Sequence, residues 1–198
     1  MSNLKTYIVG ITGASGSIYG VRLVQELLKL GNKVHLVVTE AGWQVLSQEL
    51  NWDANLREAN LESYFIENRA NLAYHQLADF NAPIASGSYQ SDGMIVIPCS
   101  MGSLSKLAHG TSGNLLERAA DVMLKEGKQL IVVPRETPLN AIHIENMLTL
   151  TRAGARMLPA MPGFYHNPKS IDDLANYLVG KVLDSLGVEH TLFKRWGE

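Results

Sequence analysis

Tyr7-Ile8-Val9-Gly10-Ile11-Thr12-Gly13-Ala14-Ser15-Gly16-Ser17 decides how this chain folds. An apolar run ends in small residues and hydroxyls. It then feeds a segment in which Val21, Val24, Leu27 and Leu28 share one helical face. Met94-Ile95-Val96-Ile97 repeats the arrangement and runs into Pro98-Cys99-Ser100-Met101-Gly102-Ser103. A helix that starts this way leaves backbone N–H groups unpaired at the positive end of its dipole, which suits an anion. Two such starts on one sheet edge place a ligand across a crevice at the strand C-termini. A phosphate-bearing aromatic cofactor fits that description.

The rest of the chain continues the alternation. Strands are expected at about Thr6 to Ile11, Lys33 to Val38, Gly93 to Ile97, Gln129 to Val133 and Arg156 to Pro159. Helices are expected from Ser17 to Lys29, from Thr39 through Leu50, around Leu104 to Ala108, and over Asn114 to Lys125. Two more are expected over Pro138 to Arg152 and from near Ser170 to Leu186. Gly31 and Gly127 mark helix ends. This order specifies an α/β protein with a parallel sheet covered by helices on both faces. The stretch Asn51 to Ser91 is less regular and reads as a loop, a short helix or an inserted strand. The length of 198 residues fits one domain over residues 1–198.

Composition removes several function classes. The net charge of −2 gives no global attraction to nucleic acid or to an anionic membrane. No apolar run approaches the ~20 residues of a membrane span. The N-terminal Met1-Ser2-Asn3-Leu4-Lys5 has no signal-peptide pattern. The one cysteine, Cys99, excludes an internal disulfide and fits a reducing compartment. Together these describe a soluble cytoplasmic protein. The six histidines form no paired-ligand cluster, and His143-Ile144-Glu145 lacks the two-cysteine partner of a zinc deaminase. No metal is expected. Cys99, beside a strand end, reads as a small buried hydrophobe.

The first glycine loop partly matches the short-chain dehydrogenase pattern, but Ser17 stands where a second glycine belongs. The Tyr177/Lys181 pair also lies too near the C-terminus for that layout. Arg118 and Lys125 are two helical turns apart and share a face. Strand Ile131-Val132-Val133-Pro134 delivers Arg135 and Glu136 to its C-terminal end, where α/β folds place ligands. An arginine there can fork onto phosphate or a flavin carbonyl, and a carboxylate beside it can act as an acid if a nearby anion raises its pKa. Pro159-Ala160-Met161-Pro162-Gly163-Phe164-Tyr165 is a proline-punctuated loop with two aromatic rings. It reads equally as a rigid connector or as a pocket lid. Trp196, near the end of the tail, would gain by docking.

Gly13-Ala14-Ser15-Gly16, Pro98-Cys99-Ser100-Met101, Arg118-Ala119-Ala120-Asp121-Val122, Leu124-Lys125-Glu126, Arg135-Glu136-Thr137-Pro138, Asn146-Met147 and Pro162-Gly163-Phe164-Tyr165 stand in this order. Together with the closing Arg195-Trp196 they resemble the UbiX-type flavin prenyltransferases over almost the whole chain. The resemblance implies a three-layer, Rossmann-like (flavodoxin-like) subunit that assembles through trimers into a homo-oligomer, usually a dodecamer, with FMN at subunit contacts. It implies transfer of a dimethylallyl group from dimethylallyl phosphate to N5 and C6 of reduced FMN. The product, prenylated FMN, would serve a UbiD-type decarboxylase, with ubiquinone synthesis as the family-level pathway.

By the same resemblance, Gly13, Ala14, Ser15, Thr39, Ser100, Met101, Gly102, Ser103 and Arg135 would hold the flavin. Thr39 stands where serine is common, and Ser103 where threonine is. Arg118, Lys125, Glu136, Tyr165, Lys181 and Trp196 would hold the prenyl phosphate. Lys181 replaces a frequent arginine, a point charge in place of a fork. Ser15, Glu49 and Glu136 would move protons. Two other functions use similar parts: an FMN-dependent cysteine decarboxylase of the coenzyme A synthesis type, and a non-catalytic flavin carrier.

Overall fold

The computed structural model describes residues 4–197. Met1 to Asn3, part of the N-terminal stretch expected to lack a signal-peptide pattern, and Glu198, the last residue of the tail, lie outside the described residues. Six strands form one parallel sheet: β1 Thr6–Ile11, β2 Lys33–Val38, β3 Leu72–His75, β4 Gly93–Cys99, β5 Leu130–Pro134 and β6 Arg156–Met157. Their order is β3-β2-β1-β4-β5-β6. Without the edge strand β3 this is the flavodoxin order, and its winding reverses between β1 and β4. The helices are α1 Ser17–Lys29, α2 Glu40–Leu50, α3 Arg57–Tyr64, α4 Met101–Ala108, α5 Leu115–Lys125, α6 Ala141–Arg152 and α7 Ile171–Leu186.

Strand periodicity divides the core cleanly. Tyr7, Val9, Ile11, Leu36 and Ile95 face one side and pack with Leu23 and Leu27 of α1, Trp43 of α2, and Leu178 and Val182 of α7. Ile8, Val37, Met94, Val96 and Val132 face the other and pack with Leu104 of α4, Leu116 and Ala119 of α5, and Leu150 of α6. β4 is buried at every position, so its continuous apolar run is what a central parallel strand requires. Each fully buried aliphatic side chain contributes roughly 1.5–3 kcal/mol. The division also assigns helices to layers: α1, α2, α3 and α7 on one face, α4, α5 and α6 on the other.

Caps set the helix starts and account for most boundary differences from the sequence reading. α4 begins at Met101, before Leu104, because the Ser100 hydroxyl accepts from the Ser103 amide at 3.3 Å. α6 begins at Ala141, after Pro138, because Asn140 and His143 form a capping box. β4 extends through Cys99, beyond Ile97, with a register shift against β5 after Val96. β6 is only two residues long, although Leu158 and Ala160 still donate to Val132 and Pro134. The irregular stretch contains all three of the forms open to it: the short helix α3, the edge strand β3 and connecting loops with two 3-10 turns.

β2 and β3 carry a buried polar feature. His35 Nδ1 lies 2.7 Å from His75 Nε2, and His35 Nε2 lies 2.7 Å from Tyr89 Oη. The two imidazoles stack at 5.0 Å with their planes 4° apart. Burial, then the neighbouring His75 and Lys33, push the His35 pKa down to about 4. An unfolded histidine near 6.5 binds more protons than this one, so stability falls as pH drops from 6.5 toward 4. The loss reaches about 2 kcal/mol by pH 5, which is about 4–8 °C for a chain of this size. Thermal melts at pH 7 and pH 5 measure it, and His35→Gln should flatten the difference.

Candidate active site

The C-terminal ends of β1, β4 and β5 are stitched together. The buried Thr12 hydroxyl donates to the Pro98 carbonyl and accepts from the Ser100 amide, both at 2.8 Å. Arg135 donates its backbone N–H to the Cys99 carbonyl at 3.2 Å. Its Nε donates to the Ser15 carbonyl at 3.1 Å. Ser15, Ser100 and Arg135, three of the sequence-derived flavin ligands, therefore meet where the winding reverses. Thr12 was not among the expected residues, although it lies inside the quoted turn. Its hydroxyl ties the two glycine-rich turns to each other.

The start of α1 differs from the expectation of open amides. Glu49, near the end of α2, reaches across to it. The Glu49 carboxylate accepts from the Gly16 amide (3.1 and 3.0 Å to its two oxygens) and from the Ser17 amide and hydroxyl, both at 2.8 Å. Gly16 has φ 96°, the left-handed region, which turns its N–H toward that carboxylate without side-chain strain. Desolvation alone would raise the Glu49 pKa. Hydrogen bonds from the Ser15 and Ser17 hydroxyls and from the Ser17 and Gly16 amides outweigh it and hold the carboxyl below its usual range. Glu49 is thus an ionised acceptor in contact with Ser15.

The start of α4 is arranged differently. Ser100 takes up the Ser103 amide and donates to the Ser103 hydroxyl at 3.1 Å. Among the described residues, no group of the chain takes up the Met101 and Gly102 amides. A side chain at Gly102 would have no atom within 4 Å, so the backbone there borders open space. Thr39 caps α2, accepting from the Gly42 amide at 3.0 Å, and keeps its hydroxyl proton to donate. Gly13 lies against Ala41 at the start of that helix, and Ala14 is buried. Hydroxyls, free amides and one guanidinium thus converge on one crevice, a donor set that matches the phosphate and ring carbonyls of a flavin nucleotide.

Glu136 follows at the end of β5. It is exposed and accepts from the Thr137 amide at 3.0 Å. The remaining phosphate candidates fall into two groups on opposite faces of the sheet. Arg118 and Lys125 lie on α5. Arg118 donates to the Ala85 carbonyl at 3.0 Å and pairs with Asp121 at 3.1 Å. Lys125 pairs with Glu126. Both cations border the loop at Ala85–Ser88: a Cβ at Gly87 would lie 2.9 Å from Lys125 Nζ. That loop was missed in the sequence because it falls in the irregular stretch. Glu117 is 4% exposed and accepts from the Gly113 amide and the Asn114 side chain, which holds the first turn of α5 beside Arg118.

Tyr165, Lys181 and Trp196 lie on the α7 side. Tyr165 meets Trp196 edge to face at 5.3 Å and Tyr177 at 5.7 Å. Trp196 is nevertheless 81% exposed, so it docks by one edge only. Lys181 lies 3.5 Å from Asp184, which also accepts from Arg195 at 2.8 Å. Tyr177 sits among Tyr165, His166 and Phe193.

Cys99 is buried, and burial pushes its thiol up, so it stays protonated as a small core residue. Among the described residues, no group of three or more His, Cys, Asp or Glu side chains could hold a metal ion. Among the described residues, no helix is long and apolar enough to cross a membrane. A concavity of about 1090 Å³ is lined by Glu40, Arg57, Tyr74, Phe80 and Asn114. It lies on the β3 side and contains none of Ser15, Glu49 or Arg135. The β1/β4 crevice, with its converging hydroxyls, amides and guanidinium, is the stronger site on its chemistry.

The sequence matches the Flavoprotein family over residues 1–183. It is 64% identical over 194 residues to the flavin prenyltransferase UbiX of Alkalihalophilus pseudofirmus, covering 98% of this chain and 97% of that protein. The fold is similar to that of AnUbiX (PadA1), crystallised in complex with FMN and dimethylallyl pyrophosphate. The TM-score is 0.90 at 37% identity, with 99% of each chain covered. A dodecameric FMN-dependent UbiX-like decarboxylase from Escherichia coli O157:H7 gives a TM-score of 0.87 at 42% identity, covering 98% of this chain and all of that one. Matched almost end to end in sequence and in fold, the chain belongs to the UbiX flavin prenyltransferases of the Flavoprotein family.

Proposed function

We propose that this protein binds reduced FMN in the β1/β4 crevice and joins to it the dimethylallyl group of dimethylallyl phosphate. The observation that carries the reading is the convergence of Ser15, Glu49, Ser100 and Arg135 on that crevice. Reduced FMN supplies the nucleophilic positions, N5 and C6, that receive the prenyl group. Arg135, fixed by the Ser15 carbonyl, orients the ring system. The Met101 and Gly102 amides and the Thr39, Ser100 and Ser103 hydroxyls serve as donors around it. Arg118, Lys125, Tyr165 and Lys181 neutralise the charge that grows on the departing phosphate, and Glu136 gives that oxygen a proton. The Ser15 hydroxyl, held by the ionised Glu49, takes the proton released from the flavin and passes it along the hydrogen bond to the carboxylate. Trp196 offers an aromatic face to the allylic cation.

Arg118 and Lys125 lie on the opposite face of the sheet from Tyr165 and Lys181, so we assign them to the crevice of a neighbouring copy. Helix α6 supports an assembly: Ile144 and Leu148, one turn apart on one face, are 55% and 47% exposed, and Ile142 is 65% exposed, apolar side chains with no cover in one chain. A trimer-based, dodecameric homo-oligomer follows the same reading. So do a cytoplasmic location and a UbiD-type decarboxylase of ubiquinone synthesis as recipient of prenylated FMN.

The test is to mix the protein anaerobically with reduced FMN and dimethylallyl phosphate and to weigh the flavin. A gain of one prenyl group is expected. Unchanged FMN identifies a carrier, and turnover of a cysteinyl substrate identifies a cysteine decarboxylase.

A further inference from the structure

The stacked histidines described in the fold lead to the phosphate-binding cations. The segment 83–89 crosses in front of α5 and has two kinds of anchor. At its start, Ala82 and Ile84 are buried in the α4/α5 core. At its end, the Tyr89 hydroxyl bonds His35, which bonds His75. The Tyr89 ring also meets the His35 ring edge on at 5.2 Å. Lys128, just beyond α5, donates to the Tyr89 carbonyl at 2.7 Å. Between the anchors lie the Ala85 carbonyl that holds Arg118 and the side-chain-free Gly87 that leaves room for Lys125 and its partner Glu126.

We infer that His35, His75 and Tyr89 are positioning residues for recognition of the prenyl phosphate: their hydrogen-bonded stack straps the segment 83–89 to the sheet, and that segment aims Arg118 and Lys125. The inference rests on the reading of those two cations as phosphate ligands. The chain of bonds closes in either direction: the Tyr89 hydroxyl donates to His35 Nε2 while His35 Nδ1–H donates to His75, or His75 Nε2–H donates to His35 Nδ1 while His35 Nε2–H donates to the Tyr89 oxygen. His35 is 7% exposed, so losing a partner leaves a buried ring nitrogen unpaired. The Tyr89 end is then held by the Lys128 bond to its carbonyl without the sheet-side strap, Ala85 shifts, and the Arg118 guanidinium is left to Asp121.

The flavin donors lie on other elements, which defines the test. Tyr89→Phe and His75→Leu should each raise KM for dimethylallyl phosphate about five- to tenfold, the loss of one well-placed bond. They should leave kcat within about twofold and FMN affinity unchanged. His75→Gln, whose amide reaches the place of Nε2, should restore KM to within about twofold of the parent. An unchanged KM in Tyr89→Phe and His75→Leu overturns the inference. So does a loss of FMN affinity in step with KM, which marks general loosening. Arg118→Ala separates the premise from the inference. If it raises KM while Tyr89→Phe does not, the strap alone is wrong. If it has no effect, the phosphate reading fails and the inference fails with it.

Discussion

Replacing Glu136 by glutamine lowers kcat for prenyl transfer by about 10²–10³-fold, the range expected when a positioned general acid is removed. Glutamine keeps the size of the side chain and an oxygen for the Thr137 amide, so the turn after β5 stays in place. What it loses is the proton for the phosphate oxygen as the allylic C–O bond opens. Arg135, the preceding residue, stays bound to the Ser15 carbonyl, so FMN affinity is expected to hold. Single-turnover reactions with pre-bound reduced FMN, followed by flavin mass from pH 6 to pH 8, make the measurement. A rate equal to that of the parent across this range refutes the role given to Glu136.

The second large effect is on binding of the ester. Arg118→Ala should lower kcat/KM for dimethylallyl phosphate about 10–100-fold, the loss of one charge-assisted hydrogen bond at about 1.5–3 kcal/mol. Arg118→Lys should recover only part of it, because an ammonium supplies the charge without the planar fork. FMN affinity should not change. The same variant also tests whether copies share a site. If Arg118 serves a neighbour, protomers carrying Arg118→Ala and protomers carrying Glu136→Gln complement each other when co-assembled. With random mixing, about a quarter of the sites then hold both intact residues. If each site were built within one chain, no mixture would regain activity.

Much of this was legible in the sequence. The parallel sheet followed from Tyr7-Ile8-Val9 and Met94-Ile95-Val96-Ile97, because strands buried on both faces read as unbroken apolar runs. β3 stayed ambiguous because Leu72-Ala73-Tyr74-His75 is short and only Leu72 is buried, so neither alternation nor a run develops. The helix boundaries moved where a cap from a polar side chain won over apolar periodicity, as at Asn140. In the site, Arg135 and Glu136 were accessible because their position depends only on where β5 ends. The contact between Glu49 and α1 was not, because it joins residues 32 and 33 apart whose side chains carry no shared pattern. The loop against Arg118 was hidden for the same reason, at a separation of 33 residues.

The carboxylate lodged at the first helix mouth also breaks the apparent equivalence of the two turns. A dianionic tail approaching there is repelled by a charge the chain supplies itself, whereas the second mouth still has amides to offer. In the proposed binding mode, a nucleotide therefore lies in the groove in one polarity. That polarity, set before any substrate arrives, decides which edge of its ring system is presented to Ser15.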